Sequence, residues 1–386
     1  MAALIKPSPE FELLLLCCRA KLHAPHDARL AALLRAAPDW DLLLRLARRH
    51  GMVPLLHRRL EEQAWRGVPQ DVGRSIKTAY RAHLIRNLEM TKQLFLLLDL
   101  LARRSLRALP VKGPVLAAQA FGDVGLRAFA DLDLLIAPED FWECYRLLRD
   151  AGFVPEVELG QRAALTYAAQ EAAMGFVNKG NGTAVELHWN FLPRCFGLRY
   201  DFDARWDARR PVNLERRPAA AMSDDDTFRH LLLHGFKHGW DRLSLVADIA
   251  QAGAALRIDW DAIGSDHQSG TMINAGLLLA DALAGGVIPG GAIERAGRDR
   301  SARRLAASFA RHLAARQAEA RGIGALGRIY AAGQRGFAGR ATFLWRLVFT
   351  PTVEDWKRRR FPNAFWRYAA LRPWRLLADH AVTPGP

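Results

Sequence analysis

The N-terminal part of the chain carries a helical pattern of apolar side chains. Apolar residues recur at spacings of three and four over residues 10–104, which places them on one face of each helix. Examples are Leu42, Leu43, Leu46 and Ala47, followed by Leu94, Leu98 and Leu101. The prolines that divide this segment into short helices are Pro25, Pro38, Pro54 and Pro69. We therefore predict a helical N-terminal region over residues 1–104.

The pattern of apolar and polar residues changes at Leu109, and from there it favours short strands. An apolar run from Leu109 to Lys112 ends at Gly113, and Pro114 then opens a helix-compatible stretch that reaches Phe121. Residues 131–136 are strand-like, a helix follows over residues 138–150, and residues 153–159 can form a strand. The segment therefore mixes helices and strands.

A hairpin is predicted next. Residues 173–177 and 183–188 flank the turn-forming sequence Asn-Lys-Gly-Asn-Gly of residues 178–182, which suits a five-residue loop. With the preceding strands, the hairpin completes a small mixed sheet within residues 105–222.

The chain becomes helical again from Ser223. Ser223 is a suitable N-cap residue, and the three aspartates of residues 224–226 suit the positive first turn of a helix. Helical patterns then dominate residues 223–386. The predicted fold class is α+β, with a small mixed sheet flanked by helical N- and C-terminal regions.

Composition supports a folded protein without membrane-spanning segments. Half of the 386 residues are hydrophobic and a quarter are charged. The longest apolar run, Leu13 to Cys18, is far shorter than the roughly 20 residues that cross a bilayer. The N-terminal residues lack the features of a signal peptide. The four cysteines have no CxxC spacing and are expected to be reduced thiols, which favours a cytoplasmic location.

Positive charge is concentrated at the C-terminal end. The net charge is +15, and residues 301–386 hold 16 Lys or Arg against 4 Asp or Glu. This basic region suits an anionic partner such as RNA, phospholipid or an acidic protein, or it is a solvated helix face. Aromatic residues and arginines alternate over residues 361–377, a pattern that can stack nucleic-acid bases or lie peripherally at a membrane surface.

The first candidate chemistry is the acid pair Asp131 and Asp133. On a strand, these residues point to the same face, roughly 7 Å apart, and can bind Mg²⁺ between them. The alternative is that both merely solvate an edge strand. A third acid, Glu186, shares a face with His188 on the second hairpin strand. Three carboxylates on neighbouring strands, beside a helix that begins after Gly113, are the parts of a two-metal phosphoryl-transfer site.

The histidines leave several interpretations open. His230, His234 and His238 lie at i, i+4 and i+8 on a predicted helix, a spacing compatible with a zinc pair. Alternatively, His234 lines the cleft or is a buried histidine with its hydrogen bonds satisfied. Asp248 either orients part of that wall or is a buried structural acid. His188 either contacts nucleotide phosphate or has a structural role beside the third acid.

The motif over residues 111–153 resembles the signature of the uncharacterised bacterial nucleotidyltransferase family of the DNA polymerase β superfamily. It runs Lys-Gly, a helix, an arginine, D-x-D-L-L, a helix opened by proline, and finally Gly-Phe. Residues 185–189, 230–248, 351–356 and 371–373 are also similar to that family. In place of the superfamily's usual Gly-Ser, this chain has Lys112-Gly113.

The resemblance implies roles for individual residues. Asp131 and Asp133 match the metal-binding pair, and Glu186 matches the third acid, which activates the attacking hydroxyl. Gly113 matches the glycine beside the triphosphate, and Lys112 and Arg127 would neutralise phosphate charge. The residues expected to bind nucleotide are Lys112, Gly113, Arg127, His188 and His234.

The resemblance also implies an activity. The enzyme would use Mg²⁺ to move a nucleoside monophosphate from an NTP, with ATP as the expected donor, to a hydroxyl of an unknown acceptor, and would release pyrophosphate. The acceptor would be a small molecule, a protein or RNA. Two alternatives stand beside this hypothesis: a catalytically weak or inactive nucleotide-binding or scaffold protein on the same fold, and an RNA-modifying nucleotidyltransferase of the toxin type.

Overall fold

The computed structural model describes residues 7–198, 200–264, 269–315, 323–350, 352–357 and 370–374. The chain divides into two compact units, each assembled from separated stretches. The stretches of the first, here called the helical unit, are Met1–Lys92, Val111–Ala130 and Arg209–Gly333. Those of the second, the sheet unit, are Gln93–Pro110, Asp131–Ala208 and Gln334–Pro386. The division into consecutive regions 1–104, 105–222 and 223–386 stays a prediction.

The helical unit is built from short helices and one two-stranded sheet. Its N-terminal helices are α1 (Pro9–Cys18), α2 (Ala24–Arg35), α3 (Trp40–Arg49), α4 (Val53–Glu62) and α5 (Gln70–Ala102), the last of which contributes to both units. The middle stretch holds α6 (Gly113–Leu116), a π-helical turn (Ala117–Phe121) and a 3-10 turn (Val124–Leu126). Strands β6 (Arg210–Leu214) and β7 (Arg217–Ala221) form a hairpin. The later helices are α10 (Asp224–Lys237), α11 (Leu243–Ala255), α12 (Trp260–Gly264), α13 (Gly270–Leu283), α14 (Gly290–Gly297), α15 (Arg300–Ala314) and α16 (Ile323–Ala332).

Local capping signals fix several of these helix starts. The Ser223 side chain accepts a hydrogen bond from the Asp226 backbone N–H, and the acidic residues 224–226 occupy the first turn of α10. The predicted N-cap is therefore confirmed. Asp39 caps α3 in the same way by accepting from the Leu42 N–H at 2.9 Å.

The sheet unit contains a mixed sheet of five strands within the described residues. Its strands are β1 (Ala108–Pro110), β2 (Asp131–Ile136), β3 (Phe153–Pro155), β4 (Ala173–Asn178) and β5 (Ala184–His188), in the order β1-β2-β5-β4-β3. Strand β2 is parallel to β5, and the other pairs are antiparallel. The helices are α7 (Phe141–Asp150), α8 (Gln161–Ala168), α9 (Phe202–Asp207), α17 (Gly336–Phe349) and α18 (Val353–Lys357). The predicted α+β fold, the strand over residues 131–136 and the hairpin are all confirmed.

One face of this sheet is an apolar core. Leu132, Leu134, Val185 and Leu187 alternate along β2 and β5 and are fully buried. The aromatic residues that pack together on this side are Phe141, Tyr145, Tyr167, Phe176 and Trp189. Because side chains alternate along a strand, burial of this set directs the intervening polar residues to the opposite face.

The strand predicted over residues 153–159 is shorter than expected. Strand β3 ends at Pro155, although Val157 and Leu159 continue the alternating burial. The Leu159 N–H donates to the Tyr145 hydroxyl at 2.8 Å instead of to a neighbouring strand. The Glu156 N–H still donates to the Gly175 oxygen of β4 at 2.8 Å, but at Leu159 a side chain satisfies the backbone, so the apolar alternation persists beyond the strand.

Two sequence expectations concern the C-terminal end. Most of the predicted aromatic and basic segment, residues 361–369 and 375–377, lies outside the described residues. Within the described ranges, no helix is both long and apolar enough to cross a membrane.

Candidate active site

The polar face of the sheet gathers four of the predicted site residues. In the parallel pairing of β2 with β5, Asp133 lies opposite Glu186, and Asp131 lies opposite Ala184. His188 follows Glu186 by two residues and shares its face. The acids therefore lie on neighbouring strands, as expected from the sequence.

Three of these side chains converge on one point. His188 Nε2 lies 2.8 Å from Asp133 Oδ1 and 3.2 Å from Glu186 Oε2. One donor atom from each of the three residues lies within 4.8 Å of the others. The side chains of Asp133 and His188 are only 2% and 4% exposed, whereas that of Glu186 is 34% exposed. The cluster is thus closed on one side and reachable through Glu186.

The two carboxylates raise the pKa of His188. Burial lowers the pKa of His188, but the charge of Glu186 and the hydrogen bonds with Asp133 and Glu186 more than offset it, so the pKa lies above its ordinary value. This shift favours the protonated form of the ring, whose Nε2–H would donate to the two carboxylates.

Asp131 is not one of the three converging side chains. It is the first residue of β2 and is half-buried, and it lies two residues before Asp133 on the same face. The spacing along the strand separates the two by roughly 7 Å. The predicted ligand set was Asp131, Asp133 and Glu186, whereas the converging donor set in the described residues is Asp133, Glu186 and His188. The i, i+2 spacing of Glu186 and His188 was the sequence signal for this placement.

Lys112, Gly113 and His234 belong to the helical unit. Lys112 is buried, and its Nζ lies 3.4 Å from His234 Nδ1. Gly113 begins α6 with a φ of +53°, a left-handed conformation that favours glycine. The pKa of His234 lies well below its ordinary value, mainly because the side chain is buried and secondly because of the charge of Lys112. His234 is therefore neutral near pH 7 and accepts the hydrogen bond that Lys112 donates.

The three histidines at the end of α10 lie with their rings close together, His230 and His234 stacked and His238, the C-cap residue, tilted against His234. The rings of His230 and His234 are 5.8 Å apart, and those of His234 and His238 are 4.4 Å apart. Burial and the nearby Lys237 and Lys112 lower the pKa of His238 to about 4. Among the described residues, none of these histidines belongs to a cluster of three or more metal-ligating side chains, so the structure adds no support for a zinc site.

Arg127 is half of a buried ion pair. Its Nε and Nη2 donate to the two carboxylate oxygens of Asp248 at 2.9 and 2.8 Å. Asn87 supports the same segment by donating to the backbone oxygens of Val124 and Arg127. Both charges are desolvated, and loss of one partner would leave the other buried and uncompensated. The geometry therefore favours the structural interpretation of Asp248, while phosphate binding by Arg127 stays a prediction.

The comparison with known families decides the class of protein. The profile of a family described as an uncharacterised nucleotidyltransferase matches residues 36–285, which is more than half of the chain. The chain belongs to this family. The resemblance found in the sequence motif is confirmed, and the protein is a nucleotidyltransferase. Comparisons with curated proteins and with solved structures found no match.

The match contains every candidate site residue. Both acid-bearing strands of this nucleotidyltransferase lie inside the matched span, as do Lys112, Arg127 and His234.

Proposed function

We propose that the protein transfers a nucleoside monophosphate from an NTP, with ATP as the expected donor, to a hydroxyl of an acceptor and releases pyrophosphate. The observation that carries this proposal is the convergence of Asp133, Glu186 and His188 on the polar face of the sheet. Family membership supports the reaction class.

The donor set fits a divalent cation. Two carboxylates and an imidazole supply oxygen and nitrogen atoms within 4.8 Å of one another, and Asp131 offers a further carboxylate on the same face. We propose that Asp131, Asp133 and Glu186 would hold Mg²⁺, the expected ion, with His188 as an orienting neighbour. When bound, Mg²⁺ supplies positive charge against the phosphates of the NTP.

Glu186 is the residue that would accept the proton of the acceptor hydroxyl. It is the most exposed of the three converging side chains, so an acceptor hydroxyl can reach it. Its carboxylate takes the hydroxyl proton as the hydroxyl oxygen bonds to the α-phosphorus, and the bond from that phosphorus to the leaving pyrophosphate breaks. His188 donates its Nε2–H to Asp133 and Glu186 and so fixes the orientation of both carboxylates.

The nucleotide-binding assignments remain part of the proposal. Lys112 supplies a cation that can neutralise phosphate, and the neutral His234 beside it can accept hydrogen bonds. Gly113 has no side chain and would leave its backbone open to the phosphates. Arg127 would contribute positive charge toward the phosphates while it stays paired with Asp248.

Position-labelled ATP tests the reaction class. Purified protein, Mg²⁺ and either α-³²P-ATP or γ-³²P-ATP are incubated with the small-molecule, protein and RNA fractions of a cell lysate. We expect the α label in one acceptor fraction and the γ label in pyrophosphate, with neither after addition of EDTA. Transfer of the γ label would contradict the proposal. ATP binding without any transfer would favour the alternative of a nucleotide-binding or scaffold protein.

A second role is favoured by one surface feature of α17. Phe337 is 88% exposed and Trp345 is 66% exposed, and helical spacing places both on one stripe with Ala341 and Leu344. Helical spacing places Arg340 beside this stripe, and α17 contains no acidic residue. We propose that this stripe docks on an anionic phospholipid surface, because aromatic residues beside an arginine, without acids, suit the interface of such a bilayer.

Vesicle co-sedimentation tests the docking. We expect the protein to pellet with phosphatidylglycerol vesicles and not with phosphatidylcholine vesicles. Replacing Phe337 and Trp345 by Ser should weaken binding about tenfold or more, since each buried aromatic contributes roughly 1.5–3 kcal/mol. Leu165→Ser is the control, because Leu165 is an apolar residue of α8 that is also exposed, at 56%. Unchanged vesicle binding by the double variant, or loss of RNA binding in that variant, would refute the membrane assignment.

A further inference from the structure

Helix α15 of the helical unit has an apolar side and an arginine side. Leu305, Phe309 and Leu313 are buried, and the helix packs against α13. At 3.6 residues per turn, the four arginines of α15 fall within an arc of about 100° on the opposite side of the helix. They are Arg300, Arg303, Arg304 and Arg311, and all four are exposed. We call this surface the arginine face.

Acidic side chains do not neutralise the arginine face. Helix α15 contains no acidic residue, and no carboxylate in the part of the chain that the structure describes forms an ion pair with its four arginines. The N-cap residue Asp299 accepts from two backbone N–H groups of the first turn and from the Thr271 hydroxyl, at 2.7–3.0 Å. The Arg303 guanidinium donates to the Gly297 carbonyl. The face therefore presents a row of positive charges to solvent.

The last turns of α3 extend this positive charge. Arg49 donates to the carbonyl of Ala315, the C-cap residue of α15, at 3.3 Å, so the C-terminal ends of the two helices lie close to each other. Arg45 and Arg48 of α3 are exposed, and the acidic residue of that helix, Asp41, lies in its first turn. Positive charge therefore continues beyond the C-terminal end of α15.

The shape and composition of the arginine face indicate the chemistry of its partner. From Arg300 to Arg311 the face runs about 16 Å, at 1.5 Å per residue, so an extended polyanion fits it better than a single phosphate group. A helix at a bilayer interface needs exposed apolar side chains beside its cations, whereas the large apolar residues of α15 are buried. Docking of an acidic protein would need an apolar interface core, which the face also lacks. A nucleic-acid backbone fits it best.

We propose that the arginine face of α15 binds the phosphate backbone of RNA. Guanidinium groups form bidentate, charge-assisted hydrogen bonds with phosphate. They can also donate to the 2′-hydroxyls of RNA, so RNA offers this face more acceptors than DNA does. Because no Trp, Tyr or Phe is exposed on α15 to stack on a base, the binding is to the backbone and does not depend on base sequence. RNA binding by this face does not rest on the proposed nucleotidyl transfer.

Fluorescence anisotropy with the full chain, without NTP or Mg²⁺, tests RNA binding. The labelled probes are two RNA hairpins of unrelated sequence and a DNA hairpin that matches the first. We expect the two RNAs to bind alike and the DNA to bind about threefold more weakly or worse. Arg304→Gln combined with Arg311→Gln should weaken RNA binding about tenfold or more, because charged hydrogen bonds are lost. The same variant should flatten the slope of log affinity against log salt by roughly one unit per arginine, whereas the matching Lys variant should keep the slope.

A control variant with the same change in net charge separates this face from general attraction. Arg74 and Arg81 are exposed on α5 of the same unit, and their joint replacement by Gln should leave RNA binding at the wild-type level. Three results would overturn the proposal: unchanged RNA affinity in the α15 Gln variant, an equal loss in the α5 control, or DNA bound as tightly as RNA. Asp133→Asn should bind RNA like wild type. Full transfer activity in Asp133→Asn would refute the proposed function and leave the RNA-binding face standing.

Discussion

Replacement of Asp133 by Asn is expected to lower nucleotidyl transfer about a thousandfold or more, roughly 4 kcal/mol of transition-state stabilisation. Asp133 contributes one of the two converging carboxylates and accepts the His188 hydrogen bond at 2.8 Å. Asn keeps the shape and can still accept that bond, but it loses the charge that would hold the cation. Steady-state release of pyrophosphate from Mg·ATP, measured with the acceptor fraction, checks this result.

A matched control separates charge loss at the site from general damage. Asp150 lies exposed at the end of α7 in the same unit, and Asp150→Asn should retain wild-type turnover. Thermal unfolding followed by circular dichroism should show that Asp133→Asn is folded at the assay temperature. If folded Asp133→Asn releases pyrophosphate at the wild-type rate, the acid cluster is not the site of transfer.

Local sequence patterns predicted the polar face of the sheet. The two-residue period of a strand assigns Asp131 and Asp133 to one face, and the same period groups Glu186 with His188. The turn-forming residues 178–182 fixed the hairpin register that orients Glu186. These features depend on neighbouring residues, which is why a single sequence contains enough information to predict them.

Long-range pairings were not predictable in this way. Strand β2 pairs with β5 rather than with β3, and Arg127 pairs with Asp248 across 121 positions of the chain. Sequence analysis identified Arg127 and Asp248 separately, but periodicity contains no information about which buried charges meet.

For His188, the sequence pattern predicted the face of the strand but not the role of the side chain. Its alternation with Glu186 predicted the shared face but left open whether it contacts phosphate or has a structural role. The structure adds that its Nε2 lies between two carboxylates and that its pKa is raised there. We therefore interpret His188 as a residue that positions Asp133 and Glu186, with its predicted nucleotide contact still to be tested.

Glu186→Gln is the second variant with a large expected effect. The substitution keeps the size of the side chain and removes the charge that accepts the acceptor proton. The phosphates of the NTP can stay bound through the metal on Asp131 and Asp133 without that charge, so binding of Mg·ATP should stay within about tenfold of wild type, roughly 1.4 kcal/mol. Transfer should fall about a hundredfold or more, since loss of a general base commonly has an effect of this size. Glu139→Gln, at an exposed position of the same unit, is the control and should change neither quantity.

The paired measurement on Glu186→Gln tests most directly whether this face of the sheet carries out nucleotidyl transfer. Equilibrium binding of Mg·ATP and single-turnover transfer of the α-labelled nucleotide are measured on the same preparation. Near-normal binding with transfer reduced a hundredfold or more is the result that a catalytic Glu186 predicts. Binding and transfer that both remain at wild-type levels would show that Glu186 is only a surface residue of the strand and would contradict the proposed site.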